Sequence, residues 1–303
     1  MKLIIENMNK FFAIISLIRV RQWIKNSFVA IPFILSFKFI DFSSENYLNF
    51  FIGILSFCLM SSAMYIVNDF RDIGEDKNHA RKKKRPLASG EISALLAMVL
   101  FFILFSASVI LTHLYFNNYA LLLILLYCAN SLIYTFLLKN YAIFDVISIA
   151  LGFVLRVLFG IFCFGAPISK WVILLTFTLC LFLAFTKRRK DFLTDGYVKK
   201  SLQGYNLIML DKFITISSVL TISSYIMYST EMLNITDNYG FIFTDLFVIF
   251  GIFRYLQSMH LDKVDVGDSG IIIYKDMVFL VNLILWALSL ILSLSYTYIS
   301  YLS

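Results

Sequence analysis

Runs of about 20 mostly apolar residues follow one another along nearly the whole chain. Such a run, wound into an α-helix, is as long as the hydrocarbon core of a bilayer is thick. Hydrophobic residues make up 60% of the 303 residues and charged residues only 15%, which is more apolar surface than a soluble domain of this size could bury. We therefore predict an all-α membrane protein. Its nine candidate transmembrane helices lie at about 26–40, 47–67, 92–112, 117–138, 142–164, 168–185, 211–231, 240–259 and 277–301.

The chain has no Pro-, Gly- or Ser-rich linker and no lasting change of composition. We therefore predict a single integral membrane domain over residues 1–303. Within residues 1–22, Glu6 and Lys10 interrupt an apolar stretch, a pattern typical of an amphipathic helix at the membrane surface. All four cysteines lie in apolar runs without metal-site spacing, which indicates packing roles.

Lysine and arginine are unevenly distributed among the connections between the predicted helices. Basic residues are concentrated in the N-terminal arm and in loops 68–91, 186–212 and 254–276, whereas 231–245 contains three acidic residues and no basic one. Because basic loops stay in the cytoplasm, we predict a cytoplasmic N-terminus, an outside C-terminus and an active site that faces the cytoplasm from the inner (cytoplasmic) cell membrane. This orientation accounts for the formal net charge of +7, so no nucleic-acid partner is predicted.

A polar motif, NDFRDIGED, continues the second predicted helix at residues 68–76. At 100° per residue, Asp69, Asp72 and Asp76 fall within about 60° of one another, so three carboxylates line one stripe of the helix. Clustered carboxylate oxygens suit Mg²⁺, which proteins usually hold through one or two carboxylates together with substrate phosphates. The stripe therefore predicts a magnesium site.

The ordinary alternative is a solvated helix end whose acidic residues pair with nearby basic ones. The sequence that follows, HARKKKRPLASG at 79–90, is a polycationic loop that contains Lys82 and Arg85. Its cations are suited to phosphate oxygens that a metal leaves uncoordinated. Directly after an acidic stripe at the end of a membrane span, the loop favours a metal–diphosphate site.

Further polar residues lie at the predicted cytoplasmic ends of other spans. Asp145 and Arg156 are eleven residues apart on the fifth helix, on nearly the same face but about 16 Å apart along its axis. An arginine as deep as Arg156 usually faces a polar cavity or a partner. Of the basic run KRRK at 187–190, Lys187 and Arg188 lie nearest the membrane.

The segment NDFRDIGED, with the RPLASG that follows, resembles the first aspartate motif of the UbiA superfamily of intramembrane prenyltransferases. More narrowly, RVRQWIKNSFVAIP, HARKKKRPLASG, NSLIYTFLLKNYAIFDV, GFVLRVLFG and FTKRRKDF look like segments of the decaprenyl-phosphate phosphoribosyltransferase branch, which transfers phosphoribose. The similarity runs in order over about residues 16–280.

This resemblance implies a nine-transmembrane-helix UbiA-like bundle around a central cavity open to lipid. It implies phosphoribosyl diphosphate and Mg²⁺ at the cytoplasmic mouth, and a long-chain polyprenyl phosphate as the acceptor. Asp69, Asp72 and Asp76 match the catalytic, metal-binding motif. The matching substrate-binding positions are Asn68, Lys82, Arg85, Tyr134, Lys139, Asp145, Arg156, Lys187 and Arg188.

Two other functions stay open from the sequence. A conventional UbiA-type enzyme would transfer a polyprenyl group to an aromatic or haem acceptor and would use a second acidic motif, for which Asp191 and Asp195 have the spacing. A transporter would also contain polar residues within its spans, although no internal repeat with broken helices is visible. The sequence leaves open a homo-oligomer, and by resemblance only it suggests a role in cell-envelope glycan precursor synthesis.

Overall fold

The computed structural model describes residues 2–35, 44–78, 82–167, 169–195, 200–261 and 276–302, and every regular element within these ranges is a helix. We number the α-helices in chain order. They are α1 (Lys2–Leu17), α2 (Ile31–Leu35), α3 (Ser44–Lys77), α4 (Pro86–Ser89), α5 (Ala94–Tyr115), α6 (Asn118–Phe136), α7 (Phe144–Phe164), α8 (Lys170–Asp195), α9 (Leu207–Thr236), α10 (Gly240–His260) and α11 (Met277–Leu302). Short 3₁₀ helices occupy Val20–Val29, Lys82–Lys84, Leu138–Asn140 and Lys200–Gly204.

Eight of these helices, α3 and α5 to α11, are long and apolar enough to cross a membrane. They confirm the all-α membrane class and correspond to eight of the nine predicted spans. The first predicted span, 26–40, is not among them: its described part is the end of a 3₁₀ helix followed by the five-residue α2. Residues 36–40 lie outside the described ranges.

Residues 23–33 nevertheless run beside α3. The Trp23 indole donates to the Ser62 hydroxyl at 2.9 Å, and the Asn26 amide donates to the Ser61 hydroxyl at 3.0 Å. Further on, the Phe33 ring packs against Phe50 with ring centroids 4.6 Å apart. The partners in α3 have falling numbers as the segment proceeds, so the two run antiparallel.

The chain folds into two compact units. Unit 1 comprises 1–34, 40–138 and 155–166, and unit 2 comprises 35–39, 139–154 and 167–303. Helix α7 is divided between them, with its residues up to Val154 in unit 2 and those from Leu155 in unit 1. The single domain predicted over residues 1–303 remains a prediction.

Unit 1 has two hydrophobic clusters. The larger packs Phe57 of α3 with Ile124 of α6 and Phe159 of α7. A Cβ on the adjacent Gly160 would lie 2.1 Å from the carbonyl oxygen of Val29, so only glycine allows this close approach. The smaller cluster joins Ala13 and Leu17 of α1 to Ile66, Leu87, Ile92 and Ala97.

Helix α1 therefore has one face buried within unit 1, while Phe11 and Phe12 are exposed. This division is typical of an amphipathic helix. The predicted location of residues 1–22 at the membrane surface remains a prediction.

Unit 2 packs α8 and α9 around a core in which Phe182, Leu202, Leu210 and Ile214 are almost fully buried. Leu202 and Tyr205 precede α9 and belong to this core. The Asn206 side chain accepts a hydrogen bond from the backbone N–H of Met209 at 2.8 Å and so caps α9. The buried pair and the cap fix the end of the α8–α9 connection.

Candidate active site

Two of the three acidic residues in the stripe converge on one guanidinium nitrogen. Nη1 of Arg85 lies 3.0 Å from Oδ1 of Asp69 and 2.6 Å from Oδ2 of Asp76. Both carboxylates are buried, and their spacing of seven positions brings them to one face of α3. Acidic and basic side chains that the sequence analysis assigned to one site thus pair with each other within unit 1, and the metal–diphosphate site itself remains a prediction.

Arg19 is a member of this cluster that the sequence analysis did not select. It adopts the left-handed conformation, with φ 53°, between α1 and the first 3₁₀ helix. Its Nη2 donates to Oδ1 of Asp69, and its guanidinium lies 4.9 Å from the ring centroid of Tyr65. In the sequence, Arg19 belongs to the basic N-terminal arm, which indicates membrane orientation, and it begins the family-like segment RVRQWIKNSFVAIP, but neither feature singled it out as a site residue.

The RPLASG sequence explains how Arg85 reaches α3. Pro86 is the first residue of α4, where its fixed φ favours helix initiation. Gly90, with φ 82°, ends the helix in a conformation that glycine adopts without strain. Leu87 is buried in the smaller cluster of unit 1, which anchors the turn. Lys82 Nζ lies 3.9 Å from Oδ1 of Asp76, whereas residues 79–81 lie outside the described ranges.

Asp72 has other neighbours. Its Oδ2 accepts from the Asn68 amide at 3.4 Å, and its Oδ1 lies 3.8 Å from Nη1 of Arg71. Across the described residues, no three His, Cys, Asp or Glu side chains are grouped so that they could hold a metal ion together. Magnesium ligation by all three aspartates therefore stays a prediction.

The chemistry of the donor set still fits a smaller metal site. Mg²⁺ is commonly bound by one or two carboxylates, with waters and substrate phosphates completing its octahedron. Asp69 and Asp76 provide two carboxylates around one position, which a guanidinium group occupies in this structure. A divalent cation at that position would neutralise the two carboxylates, and the displaced guanidinium would then help to balance the charge of a bound diphosphate. The arrangement fits a site that protein and substrate complete together.

Arg156 lies in unit 1 and is 5% exposed. Its Nε donates to Oδ1 of Asn26 at 3.0 Å, and its Nη2 donates to the Tyr127 hydroxyl at 3.1 Å. The guanidinium also lies over the rings of Tyr127 and Phe57, 4.8 and 5.2 Å from their centroids. The expectation of a polar partner for this deep arginine is met, and its predicted contact with substrate phosphate remains a prediction.

A second polar cluster lies in unit 2 around Asp145, whose side chain is 0% exposed. Oδ2 of Asp145 accepts from Nε of Arg188 at 2.6 Å, and Oδ1 accepts from the Tyr205 hydroxyl at 3.1 Å. Oδ1 also accepts from the backbone N–H of Val146 at 2.8 Å, in the first turn of α7. Nη1 of Arg188 donates to Oδ2 of Asp191 at 3.0 Å. The structure thus brings together two predicted residues, Asp145 and Arg188.

Tyr205 is the second residue that the sequence analysis missed. Burial raises the pKa of its hydroxyl above the usual value, and the neighbouring Asp145 carboxylate raises this pKa further. The hydroxyl therefore stays protonated and donates a hydrogen bond to Asp145. Its sequence context, an isolated tyrosine in a loop, gives no periodic or motif signal.

Three other predicted site residues, Tyr134, Lys139 and Lys187, belong to neither of these two polar clusters as described above. Tyr134 lies half-buried near the end of α6 in unit 1, and Lys139 lies half-buried in the 3₁₀ helix Leu138–Asn140 and belongs to unit 2. Lys187 is exposed near the end of α8. All three have interactions within the protein, and their substrate contacts remain predictions. The side chain of Asp195 lies outside the described side chains.

A family profile and individual relatives place the sequence in the same protein family. The sequence profile described as the UbiA prenyltransferase family matches residues 29–265. The chain is 28% identical over 263 residues to a decaprenyl-phosphate phosphoribosyltransferase of Corynebacterium glutamicum, covering 84% of this chain and 78% of the relative. It is 30% identical over 227 residues to the enzyme of that name from Mycolicibacterium smegmatis, covering 72% and 70%.

The fold is also similar to a solved structure. A UbiA homologue from Archaeoglobus fulgidus, bound to DMAPP and Mg²⁺, superposes with a TM-score of 0.67 at 18% identity, over 94% of this chain and 98% of that chain. Because the sequence identity is low, this similarity establishes the fold and not the substrate or the reaction.

Proposed function

The chain belongs to the UbiA prenyltransferase family, and we propose that it transfers a 5-phosphoribosyl group from phosphoribosyl diphosphate to a polyprenyl phosphate, with release of diphosphate. The observation that carries this function is the similarity, over most of both chains, to two decaprenyl-phosphate phosphoribosyltransferases. The protein is an integral membrane transferase. We further propose that it depends on Mg²⁺ and supplies a cell-envelope glycan precursor.

The reaction forms a bond between a phosphate oxygen of the acceptor and C1 of ribose. The bond from C1 to the diphosphate breaks, and its electrons leave with the diphosphate. The acceptor phosphate is already anionic near neutral pH, so the attack needs no strong general base. It does need alignment of the nucleophile with C1 and stabilisation of charge on the departing diphosphate.

The residues of unit 1 can provide this stabilisation. Asp69 and Asp76 would hold the magnesium ion, which supplies charge neutralisation at the diphosphate when it is bound. Arg85 and Arg19, which neutralise these carboxylates in the structure, would then donate to phosphate oxygens instead. Because arginine donates in a planar fork, it suits diphosphate as well as carboxylate.

The direct test is transfer in reconstituted membranes. Purified protein would be incubated with Mg²⁺, labelled phosphoribosyl diphosphate and polyprenyl phosphates of several lengths, and the lipids extracted. We expect label in the lipid fraction that depends on both substrates and on Mg²⁺. Transfer only from a polyprenyl diphosphate to an aromatic or haem acceptor would instead establish the conventional prenyl reaction.

The variant Asp191→Asn/Asp195→Asn adds a second comparison between these reactions. The prenyl reaction would use both carboxylates for Mg²⁺, so the double variant should then be inactive. In the phosphoribosyl reaction we expect much of the activity to remain. Asp191 already pairs with Arg188, which gives its carboxylate a role without a second metal.

We propose a ninth crossing of the membrane by residues 20–35. Its support is the antiparallel course beside α3, from the Arg19–Asp69 pair to the Phe33–Phe50 and Phe33–Tyr47 ring contacts. Between Tyr47 and Asp69, α3 rises by about 33 Å at 1.5 Å per residue, close to the hydrocarbon thickness. With this crossing, the basic N-terminal arm and the Lys82–Lys84 loop share the cytoplasmic side, as the distribution of basic residues favours.

We expect single cysteines in a background without the four native ones to report this topology. Lys10→Cys and Lys83→Cys should react with a membrane-impermeant maleimide only after permeabilisation, whereas Asp237→Cys should react from outside in intact cells. Lys10, Lys83 and Asp237 are all exposed in the structure. Labelling of Lys10→Cys and Lys83→Cys from opposite sides would exclude the ninth crossing.

Arg156 provides a prediction about substrate use. Arg156→Lys keeps a charge but cannot reproduce donation to both Asn26 and Tyr127, and we expect unfolding stability to fall by about 1–3 kcal/mol because a buried partner is left unsatisfied. If Arg156 also binds phosphate, kcat/KM should fall for phosphoribosyl diphosphate or polyprenyl phosphate. If well-folded Arg156→Ala protein has wild-type kcat/KM for both substrates, this arginine has a purely structural role.

A further inference from the structure

The turn between α6 and α7 contains a residue in an unusual conformation. Ile143 has φ 70°, which is in the left-handed region that β-branched residues rarely adopt. Such a conformation persists only where the surroundings hold it. Its backbone N–H donates to the hydroxyl oxygen of Tyr205 at 2.5 Å, so the holding contact comes from the connection that precedes α9.

That connection lies directly on the turn. A Cβ on Gly204 would be 2.6 Å from Cβ of Ala142, which means that a larger residue would push the two segments apart. Tyr205 itself is only 3% exposed, and with Leu202 it belongs to the same hydrophobic cluster as Val146 of α7. The Tyr205 hydroxyl is therefore fixed relative to the turn by packing on both sides.

The same hydroxyl donates to Asp145, two residues beyond Ile143. Asp145 in turn accepts from Nε of Arg188. A continuous series of hydrogen bonds thus links the Ile143 backbone to the Arg188 guanidinium through Tyr205 and Asp145. Because Arg188 retains 12% exposure whereas Asp145 has none, Arg188 is the member of the series that can reach a ligand.

We propose that Tyr205 is a positioning residue that holds the Ile143 turn and Asp145, and thereby orients Arg188 toward a phosphate group of the substrate. The inference rests on the proposed phosphoribosyl transfer. Asp145, which the sequence places among substrate-binding residues, acts through Arg188 in this arrangement. A guanidinium binds phosphate through two parallel N–H bonds only when its plane is aligned with the phosphate oxygens. A rotation of that plane therefore weakens binding even though the positive charge remains.

Tyr205→Phe tests the hydroxyl, and Tyr225→Phe is its matched control. Tyr225 is 4% exposed, lies in the same unit, and has two hydroxyl partners, Thr244 and Trp286. We expect kcat/KM for at least one phosphate-bearing substrate to fall on the order of tenfold in Tyr205→Phe. The control should stay within about twofold, and the unfolding temperatures of the two variants should be similar.

Two further variants separate positioning from loss of packing. Ile143→Asn in the Tyr205→Phe background should restore part of the lost kcat/KM, because asparagine tolerates the left-handed conformation without the tyrosine hydroxyl. Gly204→Ala, which keeps every hydroxyl group, should reproduce the loss by displacing the connection from Ala142. The Gly204→Ala variant also tests the proposal if Tyr205→Phe does not fold.

The outcomes distinguish this inference from the proposed function. Wild-type kinetics for both substrates in folded Tyr205→Phe and Gly204→Ala, alongside a large loss in Arg188→Lys, would overturn the positioning role and leave phosphoribosyl transfer intact. A loss that Ile143→Asn does not reduce would also overturn it, in favour of a packing role. If wild-type protein transfers no phosphoribosyl group, the proposed function fails first and the positioning role fails with it.

Discussion

Replacing Asp69 with asparagine is expected to lower kcat/KM for phosphoribosyl transfer by about 10²- to 10³-fold, the range that follows removal of one group that stabilises transition-state charge. Asp69 accepts from both Arg19 and Arg85, so its charge organises the cations as well as the proposed metal. The amide of asparagine is a weak magnesium ligand and cannot balance two guanidinium groups. The loss should appear as a higher magnesium requirement and a lower kcat.

The folded state should survive this substitution. The side chains of Arg19 and Arg85 are 20% and 26% exposed, so water can solvate the charges that Asp69 no longer balances. Arg85 also keeps Asp76. We therefore expect Asp69→Asn to insert into membranes and elute from size exclusion as wild type does.

Glu75→Gln is the matched control for Asp69→Asn. Glu75 is an exposed acidic residue in the same helix and directly precedes Asp76, but it lies off the stripe. Removing its charge should change kcat/KM by less than about twofold. If Asp69→Asn turns over at the wild-type rate at saturating Mg²⁺ and donor, the metal–diphosphate assignment is wrong. If Glu75→Gln loses as much kcat/KM as Asp69→Asn does, the loss is a general effect of removing negative charge.

The acidic half of the candidate site could be predicted because its geometry is local. The spacing of Asp69 and Asp76 fixes them on one face of any α-helix, and the structure places both carboxylates beside Arg85. The eight long spans were likewise predictable, since the length of an apolar run is itself the signal.

The partners of these residues could not be predicted, because they are distant in the sequence. Arg19 is 50 residues from Asp69, and Asn26 is 130 residues from Arg156. Packing of unit 1 decides both contacts, and no helical period encodes them. Tyr205 reaches Asp145 across 60 residues for the same reason. Tyr205 could therefore be identified as a member of this cluster only from the fold of unit 2.

The 3₁₀ helix at Val20–Val29 was missed for a different reason. Runs of this kind longer than three or four residues are uncommon, so the predicted span 26–40 is expected to begin as an α-helix. Here, Trp23 and Asn26 donate hydrogen bonds to side chains of α3. These contacts stabilise a 3₁₀ conformation that the local sequence alone would not favour. Tertiary hydrogen bonds therefore decide the conformation of this segment.

Arg188→Ala should produce a large loss of stability in unit 2. It leaves Asp145, fully buried, without the cation that lies 2.6 Å from its carboxylate. Breaking a buried ion pair from one side typically destabilises a protein by about 3–5 kcal/mol. By contrast, Arg189→Ala is a matched control, since the adjacent Arg189 pairs with the partly exposed Asp211; its loss should be at most about 1 kcal/mol.

Asp145→Asn/Arg188→Ala then separates the structural role of the pair from the proposed binding of phosphate. The asparagine carbonyl oxygen can still accept from Tyr205 and from the Val146 N–H, as Asp145 does, and no buried charge remains. We therefore expect the double variant to recover most of the unfolding free energy lost in Arg188→Ala. Transfer should stay at least about tenfold below wild type, because the phosphate contact of Arg188 is still missing. Thermal unfolding in detergent and transfer kinetics on the same preparations provide the comparison, and recovery of both stability and transfer would show that Arg188 serves only to balance Asp145.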